Sequence, residues 1–255
     1  MTKVFCVGMH KAGTTSIHML SQLLGLDASH ATAWSHPPLD LDLLRRHEIF
    51  SDGGGHYWDE ALEFGSNFDL RALREAFPGC KFILQYRDLR PWMTSKMGHA
   101  GWRRATEMKP DTGAPLVHED WKRERREEVL RGWIENRQRY HAAAAAYLSD
   151  MPEDVLVIDV TKTPDAPMRI GEFIYGPGSC RAVEDFGLIH KIRNRLPGGH
   201  VVPRQMPRAN EAKADPADKA HCRAIVERIT TEADPEVEPA LLELQALTDR
   251  TRGKA

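Results

Sequence analysis

Cysteine is scarce in this sequence. Four cysteines occur among 255 residues, at positions 6, 80, 180 and 222, with no CxxC pair and no histidine cluster at zinc-ligand spacing. A disulfide framework and a zinc-finger type of site are therefore excluded. We expect a reduced, cytoplasmic protein that holds no metal.

Long hydrophobic runs and an excess of charge are also missing. No stretch approaches the roughly 20 apolar residues of a membrane helix, and the first residues lack the features of a signal peptide. The formal net charge of −2 gives no reason to expect a nucleic-acid partner. Hydrophobic residues make up 41% of the chain, which suffices for the core of a globular domain. We expect a protein that acts on neither membranes nor nucleic acids.

What the sequence does contain is an alternation of strand patterns with helix patterns. The candidate strands, which are short and apolar, are 3–9, 47–52, 80–88 and 154–161. The candidate helices, which carry apolar residues at helical spacing, are 14–24, 56–64, 68–77, 91–97, 119–148 and 168–176. This alternation predicts an α/β fold with a doubly wound, mostly parallel sheet flanked by helices.

The pattern changes near residue 196. Residues 1–195 carry the alternation and are expected to form one α/β domain. From 196 the chain is rich in proline and glycine, which predicts an irregular arm, and two helices follow near 216–232 and 235–249. We expect 196–255 to pack on the same domain.

Residues 7–16, VGMHKAGTTS, join the first strand to the first helix and carry the most specific pattern. A strand, a glycine turn and a helix N-terminus together direct backbone N–H groups and a positive dipole end at one point, which suits an anion. In an ATP-binding P-loop the lysine directly follows the second glycine. Here Thr14 holds that position, and Lys11 precedes Gly13. The plain alternative is a strand-to-helix turn without a ligand.

Two stretches resemble the nucleotide motifs of the sulfotransferases. KAGTTS is similar to their 5′-phosphosulfate loop, K-x-G-T-T-[SW]. FILQYRDLRPWMTS is similar to their second motif, in which a strand ends in Arg and a Ser follows eight residues later, as Arg87 and Ser95 do. The resemblance covers about 3–195. It implies a fold like that of the P-loop-containing nucleoside triphosphate hydrolases and a transferase that uses 3′-phosphoadenosine 5′-phosphosulfate (PAPS).

The resemblance also implies which residues hold the nucleotide. The 5′-phosphate is assigned to the loop residues His10, Lys11, Ala12, Gly13, Thr14, Thr15 and Ser16. Lys11 would meet the charge that develops on the bridging oxygen, and no metal is required. Arg87 and Ser95 would hold the 3′-phosphate, for which a guanidinium offers a planar, permanently charged fork. Alternatively, Arg87 pairs with a carboxylate such as Asp88, and Ser95 is a solvated helix residue.

The acceptor also needs a base at the carboxyl edge of the sheet. Asp52 follows the second candidate strand and aligns with an Asp of the family, so it ranks first. His56 ranks second because imidazole titrates near neutral pH, and His30 ranks third. The alternatives are a turn or helix-cap role for Asp52 and a surface position for His56.

The sequence thus predicts a PAPS-dependent sulfotransferase that moves a sulfuryl group to a hydroxyl, or an amine, of a small molecule or glycan. The desulfated product would be 3′-phosphoadenosine 5′-phosphate (PAP). A nucleotide or small-molecule kinase and a catalytically silent PAP-binding protein remain as alternatives. Neither the acceptor nor the oligomeric state follows from the sequence.

Overall fold

The computed structural model describes most of the chain. The described residues are 2–30, 34, 39–52, 70–98, 106–107, 115, 119–184, 199–207, 216–232 and 234–253. Within these ranges, no helix combines the length and the apolar character needed to cross a bilayer.

The described residues contain strands and helices, which alternate over much of the chain. The strands are β1 (Val4–Cys6), β2 (Ala28–His30), β3 (Ile49–Ser51), β4 (Lys81–Gln85), β5 (Val155–Ile158), β6 (Cys180–Val183) and β7 (His200–Pro203). The helices are α1 (Thr14–Leu23), α2 (Leu41–Arg46), α3 (Leu70–Ala76), α4 (Leu89–Met97), α5 (Glu119–Leu148), α6 (Ala166–Tyr175), α7 (Pro216–Ile229) and α8 (Pro239–Thr251).

The central sheet has five strands in the order β2-β3-β1-β4-β5. Every neighbouring pair in it is parallel. The chain moves from β1 to one side of the sheet for β2 and β3, and then to the other side for β4 and β5. The turn after β1 therefore lies where the strand order reverses, which is the usual ligand crevice of such a sheet.

Alternate residues of the strands supply two hydrophobic layers, because successive side chains in a strand point to opposite faces. Phe5 and Phe82 belong to the layer that contains residues of α5 and α8. Val4 and Ile83 belong to the other layer, which contains residues of α1 and α6. Helices thus cover both faces of a parallel sheet, and the predicted α/β fold class is confirmed.

Three strands and one α-helix of the described residues were not among those the sequence predicts: β2, β6, β7 and α2. Strand β7 lies inside the segment expected to be irregular, and it pairs with β6 from the other side of residue 195. Helix α8 contacts α5 and β5 of the central domain. The division at 195 itself stays a prediction. The helix predicted at 56–64 lies outside the described residues.

Candidate functional site

The turn between β1 and α1 depends on glycine at position 13. Gly13 precedes α1 with φ of 93°, in the left-handed region that residues with a side chain rarely adopt. A Cβ at this position would also lie 2.1 Å from the Cγ2 atom of Val160. Both the backbone conformation and the close packing against Val160 therefore require glycine.

The N-terminus of α1 is open to an anion. Gly13 supplies no side-chain cap, and the first turn contains no acidic residue. The first intrahelical bond runs from the Ile17 N–H to the Gly13 carbonyl, and within the described residues no acceptor contacts the N–H groups of 13–16. Such unpaired N–H groups, together with the positive end of the helix dipole, favour a bound phosphate or similar group.

Asp52, just after β3, is hydrogen-bonded to the loop. Its Oδ1 atom accepts a hydrogen bond from His10 Nδ1 at 2.7 Å and another from the Thr14 hydroxyl at 2.9 Å. The structure thus brings together three of the residues that the sequence singled out. The Thr14 hydroxyl donates its hydrogen to Asp52, so what Thr14 offers to an anion is its backbone N–H.

Asp52 is held as a carboxylate. Burial raises the pKa of this carboxyl, but the hydrogen bonds from His10 and Thr14 and the charges of His10 and His30 lower it to about 2. Its φ is 68°, and Lys11 has φ of 65°. Left-handed backbone at residues other than glycine is uncommon and concentrates at functional sites.

Lys11 is half-buried in the turn before Gly13. Burial lowers the pKa of its ammonium, and the Asp52 carboxylate raises it in part. Lys11 lies two residues before Gly13, in the turn that leads to the open end of α1. A cation beside a cluster of unpaired N–H groups can stabilise negative charge that develops on a leaving group.

The loop is anchored by residues that the sequence analysis did not assign to the site. The Trp92 indole Nε1–H, on α4, donates to the His10 carbonyl at 2.7 Å, and the Tyr140 hydroxyl, on α5, donates to the Val7 carbonyl. The Gly8 N–H donates to Gln85 Oε1 at 3.0 Å. Trp92 lies inside the second nucleotide motif, which was a usable signal, whereas nothing in the sequence around Tyr140 pointed to the loop.

Thr15 contacts His30, which the sequence ranked third as a base. The Thr15 hydroxyl and His30 Nε2 are 3.3 Å apart, and His30 Nδ1 lies 2.8 Å from the Ser51 hydroxyl. Both ring nitrogens of His30 therefore have hydrogen-bond partners. This arrangement favours a role in holding the loop over a role as the base.

Arg87 follows β4 at the carboxyl edge of the sheet. The Asp88 carboxylate pairs with Lys162, and Arg87 forms no ion pair with any described residue. The Nε atom of Arg87 is buried without a hydrogen-bond partner among the described residues. Ser95 lies half-buried on α4, the helix that also supplies Trp92 to the loop. The Nε–H group of Arg87 could therefore donate a hydrogen bond to a bound anion.

The other loop residues of the predicted site, Ala12 and Ser16, differ in exposure. Ala12 is buried and Ser16 is half-buried in the first turn of α1. His56 lies outside the described residues. The described residues contain no group of three or more side chains that could hold a metal ion.

The family model described as "Sulfotransferase domain" matches residues 3–158, which include β1 to β5, the loop and Asp52, Arg87 and Ser95. Searches of curated proteins and of solved structures found no match. The matched segment is more than half of the chain, and it contains the open helix terminus and the unpaired guanidinium described above. The chain therefore belongs to the sulfotransferase family.

Proposed function

We propose that the protein transfers a sulfuryl group from PAPS to a hydroxyl of a small molecule or glycan. The observation that carries this proposal is the open N-terminus of α1, with a cation placed before Gly13 and none directly after it. This arrangement suits a nucleotide whose reacting group lies beyond its 5′-phosphate. Family membership supports sulfuryl transfer in general.

The loop is the proposed 5′-phosphate site. The N–H groups of 13–16 would bind the phosphate oxygens, and the Thr15 and Ser16 hydroxyls would add donors. Lys11 would lie at the bridging oxygen. Asp52 is an anion next to this site, and its Oδ1 atom accepts hydrogen bonds from His10 and Thr14 of the loop.

Arg87 and Ser95 are the proposed 3′-phosphate site. The unpaired Nε of Arg87 supports this assignment, because a buried guanidinium N–H without an acceptor is costly until an anion supplies one. The alternative in which Arg87 pairs with Asp88 loses support, since the Asp88 carboxylate pairs with Lys162.

The proposed reaction is an in-line displacement at sulfur. A bond forms between the acceptor oxygen and sulfur, the bond between sulfur and the bridging oxygen breaks, and the electron pair stays on the 5′-phosphate of PAP. As in phosphoryl transfer, the protein mostly positions the groups and stabilises the charge on the leaving oxygen. Lys11 and the N–H groups of α1 would stabilise this charge, and the acceptor proton would pass to a carboxylate.

Asp52 is the proposed proton acceptor. Hydrogen bonds from the described residues reach its Oδ1 atom, which leaves Oδ2 for an acceptor hydroxyl. A carboxylate with a pKa of about 2 is a weak base, so it takes the proton only after the bond to sulfur has made the hydroxyl acidic. His56 is retained as the second candidate on the sequence argument alone.

The first test is calorimetric titration with PAP and, separately, with ATP plus Mg²⁺. We expect PAP to bind, ATP to bind at least about a hundredfold more weakly, and Arg87→Ala to weaken PAP binding at least about tenfold, because the 3′-phosphate loses a charged fork. Arg45→Ala is the matched control, since this arginine lies on the surface of α2 and pairs with Asp42. A preference for ATP would favour the kinase alternative, and an unchanged PAP affinity in Arg87→Ala would refute the 3′-phosphate site.

The second test separates Asp52 as base from Asp52 as an anchor of the loop. In Asp52→Asn the amide oxygen still accepts from His10 and Thr14, but the negative charge is gone. We expect release of PAP from PAPS to fall at least about tenfold, as is typical when a general base is lost, while PAP itself binds as tightly as before or more tightly. Undiminished turnover would exclude Asp52 as the base. A wild-type protein that binds PAP but never consumes PAPS would be the silent binder.

A further inference from the structure

The Asp88 carboxylate comes directly after Arg87 in the chain and pairs with Lys162. Asp88 is the residue before α4 and Lys162 follows β5, so the pair joins two loops at the carboxyl edge of the sheet. The side chain of Lys162 is 61% exposed and that of Asp88 is 15% exposed. The hydrogen bond that Lys162 donates to Asp88 raises the pKa of its ammonium, so this carboxylate has a cationic partner at neutral pH.

Asp88 does not cap the helix that it precedes. An aspartate in this place usually accepts a hydrogen bond from the second or third N–H group of the helix. The Asp88 side chain makes no such bond. The second N–H group, that of Arg90, donates to the Glu236 carboxylate at 3.0 Å, and the third residue is Pro91, which has no N–H. Neither of the usual cap donors of α4 is therefore open to the Asp88 carboxylate.

Arg87 is the cation with which Asp88 could pair in place of Lys162. It immediately precedes Asp88, and its buried Nε atom has no hydrogen-bond partner among the described residues. Two further arginines in this region already pair with glutamates, Arg90 with Glu236 and Arg137 with Glu238. A carboxylate on Arg87 would occupy the donors that the proposed 3′-phosphate needs, and its charge would repel the phosphate.

We propose that Lys162 is a positioning residue for the 3′-phosphate site: it holds the Asp88 carboxylate and so leaves the Arg87 guanidinium to the phosphate. The proposal rests on the proposed function, because it takes the 3′-phosphate as the anion that Arg87 binds. Lys162 itself does not contact the nucleotide in this role. Its whole effect on nucleotide binding passes through Asp88, and this dependence can be measured.

The test is a double-mutant cycle of Lys162→Met and Asp88→Asn, read by calorimetric titration with PAP. In Lys162→Met the Asp88 carboxylate is released to Arg87, so we expect PAP to bind about fivefold to tenfold more weakly. Asp88→Asn should bind PAP within about twofold of wild type, because Arg87 meets no carboxylate in either protein. The double variant should also stay within about twofold of wild type, since Lys162 then has no carboxylate to hold.

Two further variants and a second nucleotide serve as controls. Lys162→Arg keeps a cation beside Asp88, so it should bind PAP within about twofold of wild type. Arg228→Met removes the cation of another exposed ion pair, with Glu127, and should have as little effect. Adenosine 5′-phosphate lacks the 3′-phosphate, so wild type and Lys162→Met should bind it equally well. An equal loss of affinity for both nucleotides would overturn the role of Lys162 at the 3′-phosphate.

The possible outcomes separate this inference from the proposed function. Failure of the wild-type protein to bind PAP would refute the proposed function and, with it, the role of Lys162. Normal PAP binding by wild type with unchanged affinity in Lys162→Met would overturn the role of Lys162 alone. A double variant as weak as Lys162→Met would indicate a direct contact with the nucleotide. A gain in Asp88→Asn equal to the loss in Lys162→Met would indicate an effect of net charge, and either result would overturn the inference.

Discussion

At the scale of single residues, Lys96 is an unusual cation. It lies on α4 and is buried, with its Nζ atom 4.8 Å from the ring centre of Trp92 and 4.0 Å from that of Trp133. Burial lowers the pKa of its ammonium to about 7. The two indole rings attract the ammonium and offset part of the cost of removing it from water.

This burial predicts a dependence of stability on pH. The unfolded chain binds a proton at Lys96 up to about pH 10.4, whereas the folded chain releases it near pH 7. Between these values the unfolded state binds more protons, so the free energy of unfolding rises with pH, by up to about 1.4 kcal/mol per unit. Below pH 7 Lys96 is protonated in both the folded and the unfolded state, so the full free-energy cost of burying its ammonium is present. In Lys96→Met this rise should disappear, and the protein should be more stable at pH 7.

Urea denaturation at pH 7.5 and 9.0 measures the effect. Lys162→Met is the matched control, because this ammonium is exposed and the Asp88 carboxylate raises its pKa. The pair of Lys162 and Asp88 stabilises the folded protein equally at pH 7.5 and 9.0, because Lys162 loses its proton only at higher pH. The control should therefore show the same rise in the free energy of unfolding with pH as wild type. Equal rises in wild type and Lys96→Met would show that Lys96 remains protonated in the folded protein.

At the scale of secondary-structure elements, the buried strands β1, β4 and β5 could be predicted from the sequence. The strands β1, β4 and β5 are buried throughout, except for half-buried Lys81, and their apolar runs are evident in the sequence. Strand β2 is only three residues long, Ala28–His30, with no β-branched residue. Its extended form depends on pairing with β3, and no local sequence pattern predicts that pairing.

Helix α2 is another element that the sequence pattern did not predict. Its six residues begin after Asp40, whose carboxylate accepts hydrogen bonds from the N–H groups of Asp42 and Leu43. The signal was an aspartate before a leucine-rich segment, which is a usual helix start. A helix this short gives no clear periodicity, so the cap alone marks it.

The candidate site also has a part that local motifs predict and a part that they do not. The loop and the Arg87 and Ser95 positions follow from local motifs, because their chemistry depends on neighbours within a few residues. The hydrogen bond from Trp92 to the His10 carbonyl joins residues 82 positions apart, and the one from Tyr140 to Val7 joins residues 133 apart. Only the folded arrangement of α4 and α5 around the sheet brings these residues together.

At the scale of the whole molecule, the part of the chain beyond the family match completes the structure. Leu241 and Leu244 of α8 lie in the core layer that contains Phe5 and Phe82. The Glu236 carbonyl, just before α8, accepts a hydrogen bond from the Leu89 N–H at 2.9 Å, at the start of α4. The C-terminal segment thus supports the helix on which Ser95 and Trp92 lie.

Glu238 is the centre of a buried ionic cluster that holds this segment in place. Its carboxylate pairs with Arg137 at 2.9 Å and with His141 at 2.7 Å, and all three side chains are almost fully buried. Burial raises the pKa of Glu238, but His141 and Arg137 lower it below its ordinary value. Glu238→Gln would leave the Arg137 guanidinium buried without its counter-charge.

We therefore expect Glu238→Gln to lower the free energy of unfolding at pH 7 by about 3 kcal/mol or more, as for other buried pairs that lose one partner. The matched control is Glu236→Gln, which removes the partner of Arg90 in a pair about one-third exposed. That loss should stay below about 1 kcal/mol. Chemical denaturation measures both variants, and a loss in Glu238→Gln no larger than in the control would contradict the importance of the cluster.

The hydrogen bond between Trp92 and the His10 carbonyl has a consequence for selectivity. It joins the loop proposed to bind the 5′-phosphate to α4, the helix that carries Ser95 of the proposed 3′-phosphate site. The two bonded atoms are 2.7 Å apart. With the two proposed anion sites joined in this way, the protein would hold them at a set distance from each other. It would select a ligand by the distance between its charged groups as well as by their number, and a chain of phosphates at one end of a nucleoside would not meet that measure.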